Sequence, residues 1–266
     1  MILPGIVSVT FRNKTADEIL QLSSSCGLKA IEWSENAHVQ PGDIVGASEL
    51  YRKTIEAGME VAAYGSYFRL LENEQPVRTF RDSLIAAKAL HAPVIRIWAG
   101  TQSSSAASDE YRAQVAREAK LIAETAAEEG IKVALECHRG TLTDTNESSQ
   151  RLLVEADHAN LYSLWQPTPE LSMKERCEGL QALAVNKKLL NLHAYYWQGD
   201  NRRPFSEGIH EWSQYLAQVD LHEKRYILME FVMDNTTEQF QSDAEAFQQL
   251  LVHLYESLPN NKGASR

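Results

Sequence analysis

Two acidic residues of this 266-residue chain close runs that are otherwise apolar: Glu136 ends KVALE and Glu230 ends YILME. A carboxylate buried at such a place without a partner is strongly destabilising, so a positive charge must compensate it. In one arrangement an arginine does this, and Arg96, inside the run VIRIW, is the candidate. In the other, a divalent cation shared by both carboxylates does it, with His193 and the amide oxygen of Gln166 completing the sphere. Two carboxylates, an imidazole and an amide oxygen form a hard, oxygen-dominated set that suits Mn or Mg ahead of Zn or Co. The chemistry open to such a site is proton abstraction from a carbon next to a carbonyl. A cation on the carbonyl and neighbouring hydroxyl oxygens would stabilise the enediolate that results.

These residues must be brought together by the elements that carry them. Short runs rich in Val, Ile, Leu and Ala read as buried parallel strands: Ile2 to Thr10, Lys29 to Trp33, Glu60 to Tyr64, Pro93 to Trp98, Lys132 to Glu136, Leu161 to Gln166, Leu189 to Tyr195 and Tyr226 to Phe231. Amphipathic stretches at helical spacing lie between them, among them TADEILQLSSSCG and DEYRAQVAREAKLIAETAAEEG. Gly27, Gly58 and Gly130 stand where a left-handed residue closes a helix. Strand and helix alternate eight times, and no G-x-G-x-x-G follows the first strand. This predicts a single (β/α)8 TIM barrel over residues 1–258, with a polar tail at 259–266 expected to fray.

In such a barrel the chemistry collects at the C-terminal ends of the strands. Besides Glu136, Gln166, His193 and Glu230, those ends carry Glu32, Trp33, Arg96, Trp98, His138, Trp165 and Trp197. Indole faces suit the C–H faces of a sugar, and they suit core packing equally well. His138 is expected to hydrogen-bond substrate or to orient Glu136, with a ring bonded to Thr141 or Thr143 as the structural alternative. The polar residues after Glu136, namely Arg139, Thr141, Thr143 and Asp144, are expected to form pocket floor and wall. The stretch YYWQGDNRRPFSEG is too long for a plain βα turn, and its Arg202 and Arg203 are candidates for a substrate hydroxyl, carboxylate or phosphate. Asp234, Asn235 or Thr236 is expected to cap the last helix.

The net charge is −10 with both signs interleaved, so there is no basic stripe for nucleic acid, and a small molecule is the expected partner. The three cysteines, Cys26, Cys137 and Cys177, are far apart and odd in number, which suggests neither a disulfide framework nor a structural zinc site and fits a reducing compartment. MILPGIVSVTF lacks a basic leader, and Arg12, Asn13 and Lys14 interrupt it too early for a membrane span. A cytoplasmic location without membrane contact is expected.

The order of Glu136, position 166, His193 and Glu230 on consecutive strand ends resembles the xylose isomerase-like TIM barrel superfamily, in its sugar phosphate isomerase and epimerase branch. ALECHRGTLTDT looks like that branch's fifth-strand motif, LLNLHAYYW its seventh-strand His motif, IEW its second-strand Glu and YILMEFV its eighth-strand Glu. The resemblance covers essentially the whole chain. It implies that Glu136, His193 and Glu230 ligate a metal and that Glu136 and Glu230 face opposite sides of a carbohydrate substrate as acid and base. It also implies a possible homo-oligomer. The family's sixth strand ends in Asp with a His three residues on, whereas WQPTP supplies Gln166 and Pro169, so metal affinity is expected to be weaker. The expected activity is metal-dependent sugar isomerisation or epimerisation. A 3-keto-glycoside lyase using the same enolate is the near alternative, and a carbohydrate-binding barrel that has lost its metal is the distant one.

Overall fold

The structure is a computed structural model and describes residues 1–258; the tail expected at 259–266 lies outside the described residues. Eight parallel strands close into one barrel: β1 (Ile2–Val7), β2 (Ala30–Ser34), β3 (Glu60–Arg69), β4 (Val94–Trp98), β5 (Lys132–Glu136), β6 (Leu161–Trp165), β7 (Leu189–Ala194) and, after an inserted hairpin of β8 (Tyr196–Gln198) and β9 (Asn201–Arg203), β10 (Arg225–Met229). β10 pairs with β1 from Ile2 opposite Arg225 to Ile6 opposite Met229, which seals the barrel. The helices α1 (Ala16–Ser25), α2 (Ile44–Glu56), α3 (Pro76–Ala89), α4 (Asp109–Ala127), α5 (Asn146–Ala156), α6 (Met173–Val185), α7 (Ile209–Leu216) and α8 (Thr237–Glu256) alternate with the strands. The chain is the single (β/α)8 barrel that the alternation predicts. No helix of the described residues is long and apolar enough to cross a membrane.

Local chemistry explains the boundaries. Thr15 with Glu18 and Ser172 with Glu175 form reciprocal capping boxes that start α1 and α6. Gly27, Gly58 and Gly130 take φ of 70°, 72° and 71° just past α1, α2 and α4, as their spacing predicts. Of the three cap candidates before α8, Thr236 takes the role by accepting from the Gln239 N–H. The first strand stops at Val7, because Ser8–Phe11 turn as a short 3-10 helix. The third runs on to Arg69, and the long polar stretch 195–208 folds into the β8–β9 hairpin followed by a 3-10 turn at Phe205–Gly208.

Side chains alternate along each strand between the barrel interior and the helices. The helix-facing set joins the main core, with Ile31, Trp33, Ile95, Ile97, Val133 and Leu135 all buried there. The inward set begins with small residues, such as Ala30 and Ala134, and a register shift between β2 and β3 that skips Ala62 breaks the alternation there, so that Ala62 and Ala63 both belong to the small inner clusters. One register further up, the inward positions carry Glu32, Arg96 and Glu136. Gly65 on β3 makes room for them: a Cβ there would lie 2.5 Å from Glu32 Oε1 and 2.9 Å from Arg96 Nη2.

Candidate active site

A cavity of about 750 Å³ opens at the C-terminal end of the barrel, with Arg96, Trp98, Glu136, His138 and Glu230 among its walls. Five of the residues expected from sequence therefore meet at one place. The alternation of strand side chains decides which of the others do not. Trp33 follows inward Glu32, so it points the other way: it is fully buried and donates its indole N–H to Thr54 of α2 at 3.1 Å. Trp165 likewise packs against Trp212 and Tyr215 of α7. Neither touches the cavity. Trp197 sits on the hairpin against Tyr195 and Phe231. Arg203 is held by Glu207 through two bonds of 2.9 Å, and it is Arg202 that faces the cavity.

Beneath the floor lies a buried network of charges. The Arg96 guanidinium is 3.3 Å from Glu32 Oε1 and 3.1 Å from Glu136 Oε2, and it also donates to the Ser66 carbonyl at 3.1 Å. The arginine named from sequence as one possible partner thus neutralises two carboxylates at once. Glu136 Oε2 also accepts from the Trp98 indole N–H. His193 is fully buried, with Nε2 3.1 Å from Glu32 Oε2 and Nδ1 3.3 Å from Glu230 Oε2. Burial alone would strip the imidazolium of its proton, but Glu32 and Glu230 outweigh it and push the pKa of His193 up to about 10. Burial also opposes the charge on Glu32 and Glu136. His193 and Arg96 outweigh it for the first, and Arg96 with both histidines and the Trp98 N–H for the second, so both carboxyls sit below the usual range.

These shifts set a pH window. A depressed Glu32 contributes stability that is present above its ordinary value of 4.5 and is lost as pH falls through the folded value. A raised His193 contributes stability that is complete below its ordinary value of 6.5 and is lost as pH climbs through about 10. The network is therefore expected to stabilise the metal-free chain most between about pH 4.5 and 6.5. Urea midpoints measured across this range and up to about pH 10 should fall on the alkaline side, and a His193→Gln variant should lack that part of the fall. Parallel curves for the two proteins would show that His193 carries no such charge.

Gln166 reaches the network from the other side. Its amide N–H groups donate to Glu136 Oε1 at 3.0 Å and to the Cys137 carbonyl at 2.8 Å. Two acceptors fix the amide orientation and leave Oε1 buried without a partner. His193 Nδ1 and Glu230 Oε2 also lack an aligned hydrogen bond. Among the described residues no group of three or more His, Cys, Asp or Glu side chains is placed to hold a metal ion. The unpartnered atoms nevertheless belong to three of the four expected ligands, and together they are an amide oxygen, an imidazole nitrogen and a carboxylate oxygen. That donor chemistry fits a hard divalent cation. The Glu32 carboxylate on the far nitrogen of His193 fixes the orientation of the ring.

The residues after Glu136 behave differently from expectation. Thr143 Oγ1 donates to the Glu136 carbonyl, Thr141 Oγ1 donates to the His138 carbonyl at 2.8 Å, and Asp144 accepts from the Ser104 N–H at 3.0 Å. The threonines are buried braces of the strand end, and the ring of His138 bonds neither of them. Its Nδ1 donates to the Arg139 carbonyl at 2.6 Å, which leaves Nε2 free beside Trp98. Sequence reasoning also missed cavity residues from two loops, Arg12 and Lys14 in one and Phe231 and Asn235 in the other, together with Tyr67 near the end of β3. Arg12 and Lys14 follow β1 after the short Ser8–Phe11 turn, and their place in the loop after the first strand was itself the signal. Phe231, Asp234 and Asn235 all have positive φ, of 56°, 59° and 51°, so the loop after β10 is held in a conformation that costs about 1–2 kcal/mol per residue.

A family model described as xylose isomerase-like TIM barrel matches residues 20–250 of this chain. A 3-dehydroshikimate dehydratase from Bacillus anthracis is 28% identical over 165 residues, which span 59% of this chain and 59% of that protein, under two thirds of its length. Among solved structures, a probable 3-DHS dehydratase from Bacillus anthracis superposes with a TM-score of 0.77 at 19% identity, covering 93% of this chain and 99% of that one. An L-ribulose 3-epimerase superposes at 0.75 with 14% identity over the full length of both chains. At these identities the superpositions show a shared fold.

Proposed function

The chain belongs to the xylose isomerase-like TIM barrel family, and on that premise we propose that it abstracts a proton beside the carbonyl of a polyhydroxylated substrate and then expels the hydroxyl one carbon further on. The observation that carries this reading is the unequal state of the two cavity carboxylates. Glu136 is ion-paired with Arg96 and accepts hydrogen bonds from Trp98 and Gln166, whereas Glu230 Oε2 has no aligned hydrogen bond and only the His193 imidazole 3.3 Å away. Two-sided epimerisation needs a free carboxylate on each face of the reacting carbon; elimination needs one base and one separate acid.

Glu230 takes the proton as the C–H bond breaks, and its electron pair moves to the carbonyl oxygen as an enolate. The pair then returns, the C–O bond of the β-hydroxyl breaks, and a proton carried on His138 Nε2 passes to the departing oxygen, which leaves as water. Arg96, fixed between Glu32 and Glu136, keeps a positive charge at the floor where the enolate oxygen develops. A divalent cation, Mn or Mg, fits the free atoms of Gln166, His193 and Glu230 with Glu136 beside them; when bound it would act as a Lewis acid toward the enolate. Because His193 is charged without it, cation binding would release a proton.

Isomerisation or epimerisation of a carbohydrate, the first expectation from the sequence, stands as the second reading. It is favoured by Glu136 Oε1, which accepts one bond only and lines the same cavity as Glu230. One experiment separates them: polyhydroxylated ketones and keto acids are incubated in D2O with and without Mn, then followed by NMR and ultraviolet absorbance. Elimination is expected, seen as a conjugated, ultraviolet-absorbing product. Deuterium at a retained carbon skeleton would replace this reading with the second. No exchange with any member of the panel, with sugar binding intact, would leave a carbohydrate-binding barrel.

A further inference from the structure

Arg12, Lys14 and Arg202 line the same cavity as Glu136 and Glu230, and among the described residues none of the three has a carboxylate within 4.0 Å. The one acid on their side of the wall, Glu18, is taken up by the Thr15 N–H at 2.7 Å and the Thr15 hydroxyl at 2.8 Å. Free cations gathered at the mouth of a chain whose net charge is −10 require a reason. None of the three forms an ion pair, and Lys14 has only the longer-range attraction of Glu18. Arg12 donates to the Tyr67 hydroxyl at 3.3 Å, and the Lys14 backbone carbonyl is bonded by His38 Nε2 at 3.1 Å. Arg202 donates to the Asn235 side-chain oxygen at 2.8 Å and lies 5.1 Å from the centre of the Phe231 ring. Phe231 and Asn235 are the strained residues of the loop after β10, so that conformation holds Arg202 over the opening.

We propose that the substrate carries an anionic group, a carboxylate or a phosphate monoester, which Arg12, Lys14 and Arg202 bind at the rim. This rests on the enolate reading above and adds the substrate class to it. The floor explains the orientation. Arg96 and His193 already stand against Glu136 and Glu230, whereas the rim cations have no carboxylate partner, so the charged end is held at the rim while the uncharged carbonyl end descends to Glu230 and His138. Guanidinium groups match both kinds of anion in geometry, so the shared chemistry is an oxyanion on a short polyol chain.

The test uses three probes of equal chain length, erythritol, D-erythronate and erythritol 4-phosphate, titrated calorimetrically into the full chain at low and at physiological ionic strength. Either anion is expected to bind about tenfold or more tighter than erythritol, with the margin shrinking as salt rises. Arg12→Gln and Arg202→Gln should each remove most of that margin, while Arg203→Gln, whose guanidinium is already paired with Glu207, should keep it. Preference for erythronate assigns a carboxylate, and preference for the phosphate assigns a monoester. Equal affinity for the three probes, no binding of either anion, or a margin unchanged in both cavity variants overturns the proposal. If anions bind as expected but no substrate exchanges protons, the enolate reading fails and the anion site stands. If exchange is seen without anion preference, the reverse holds.

Discussion

Replacing Glu230 by Gln is expected to lower turnover by about two to four orders of magnitude, the usual worth of a positioned base. The change is isosteric and opens no cavity, but it withdraws one of the two carboxylates beside buried His193, so the free energy of unfolding should fall by about 1–3 kcal/mol and turnover is compared per folded molecule. Glu230 is buried at the cavity floor, and its Oε2 accepts no aligned hydrogen bond and has only the His193 ring 3.3 Å away, which leaves it the less engaged of the two cavity carboxylates. The effect should appear in kcat as much as in kcat/KM, because the proton is transferred only in the transition state. Deuterium exchange into substrate should disappear with it. Glu136→Gln supplies the contrast: it removes a charge already neutralised by Arg96, so slowed but measurable exchange is expected. Equal loss in both variants would point to two-sided proton transfer, and near-normal exchange in Glu230→Gln would remove Glu230 from the mechanism.

Arg96→Met is expected to destabilise the barrel by about 3–5 kcal/mol, the range seen when one member of a buried ion network is removed. Arg96 is only 4% exposed, and its guanidinium is the one arginine within ion-pair distance of Glu32 and Glu136 among the described residues. Without it, three carboxylates face a single imidazolium in a water-poor interior. The loss is a large part of the total stability of about 5–15 kcal/mol typical of a domain. Urea unfolding followed by tryptophan fluorescence measures it, and adding Glu32→Gln to Arg96→Met should recover part of the loss by removing one unmatched charge. A single variant that costs under about 1 kcal/mol would mean that water or an ion already screens these acids.

The barrel was legible because its signal is repeated and local. Eight apolar runs separated by amphipathic helices leave little freedom once each strand must be covered on its outer face, and Gly27, Gly58 and Gly130 mark helix ends by backbone sterics alone. The acids were legible for a similar reason, since Glu136 and Glu230 interrupt apolar runs at the register where the barrel opens. Trp33 and Trp165, which suited a sugar face and core packing equally, are settled as core by the strand: each adjoins an inward residue, and period-two alternation sends its side chain to the helices. Arg203 and Arg202 show a limit of another kind: neighbours of equal chemistry are told apart only by the hairpin, which gives one to Glu207 and the other to the cavity.

By itself, then, the sequence determined the closed barrel, its element order and the strand-end acids, because periodicity and the expense of burying charge act along a few residues at a time. The tertiary structure alone decided how those charges are shared. Glu32 and Arg96 lie 64 residues apart, and Glu32 and His193 lie 161 apart. Closure of the barrel brings them within hydrogen-bond reach, and only there can a buried carboxylate find the cation that its own strand does not provide.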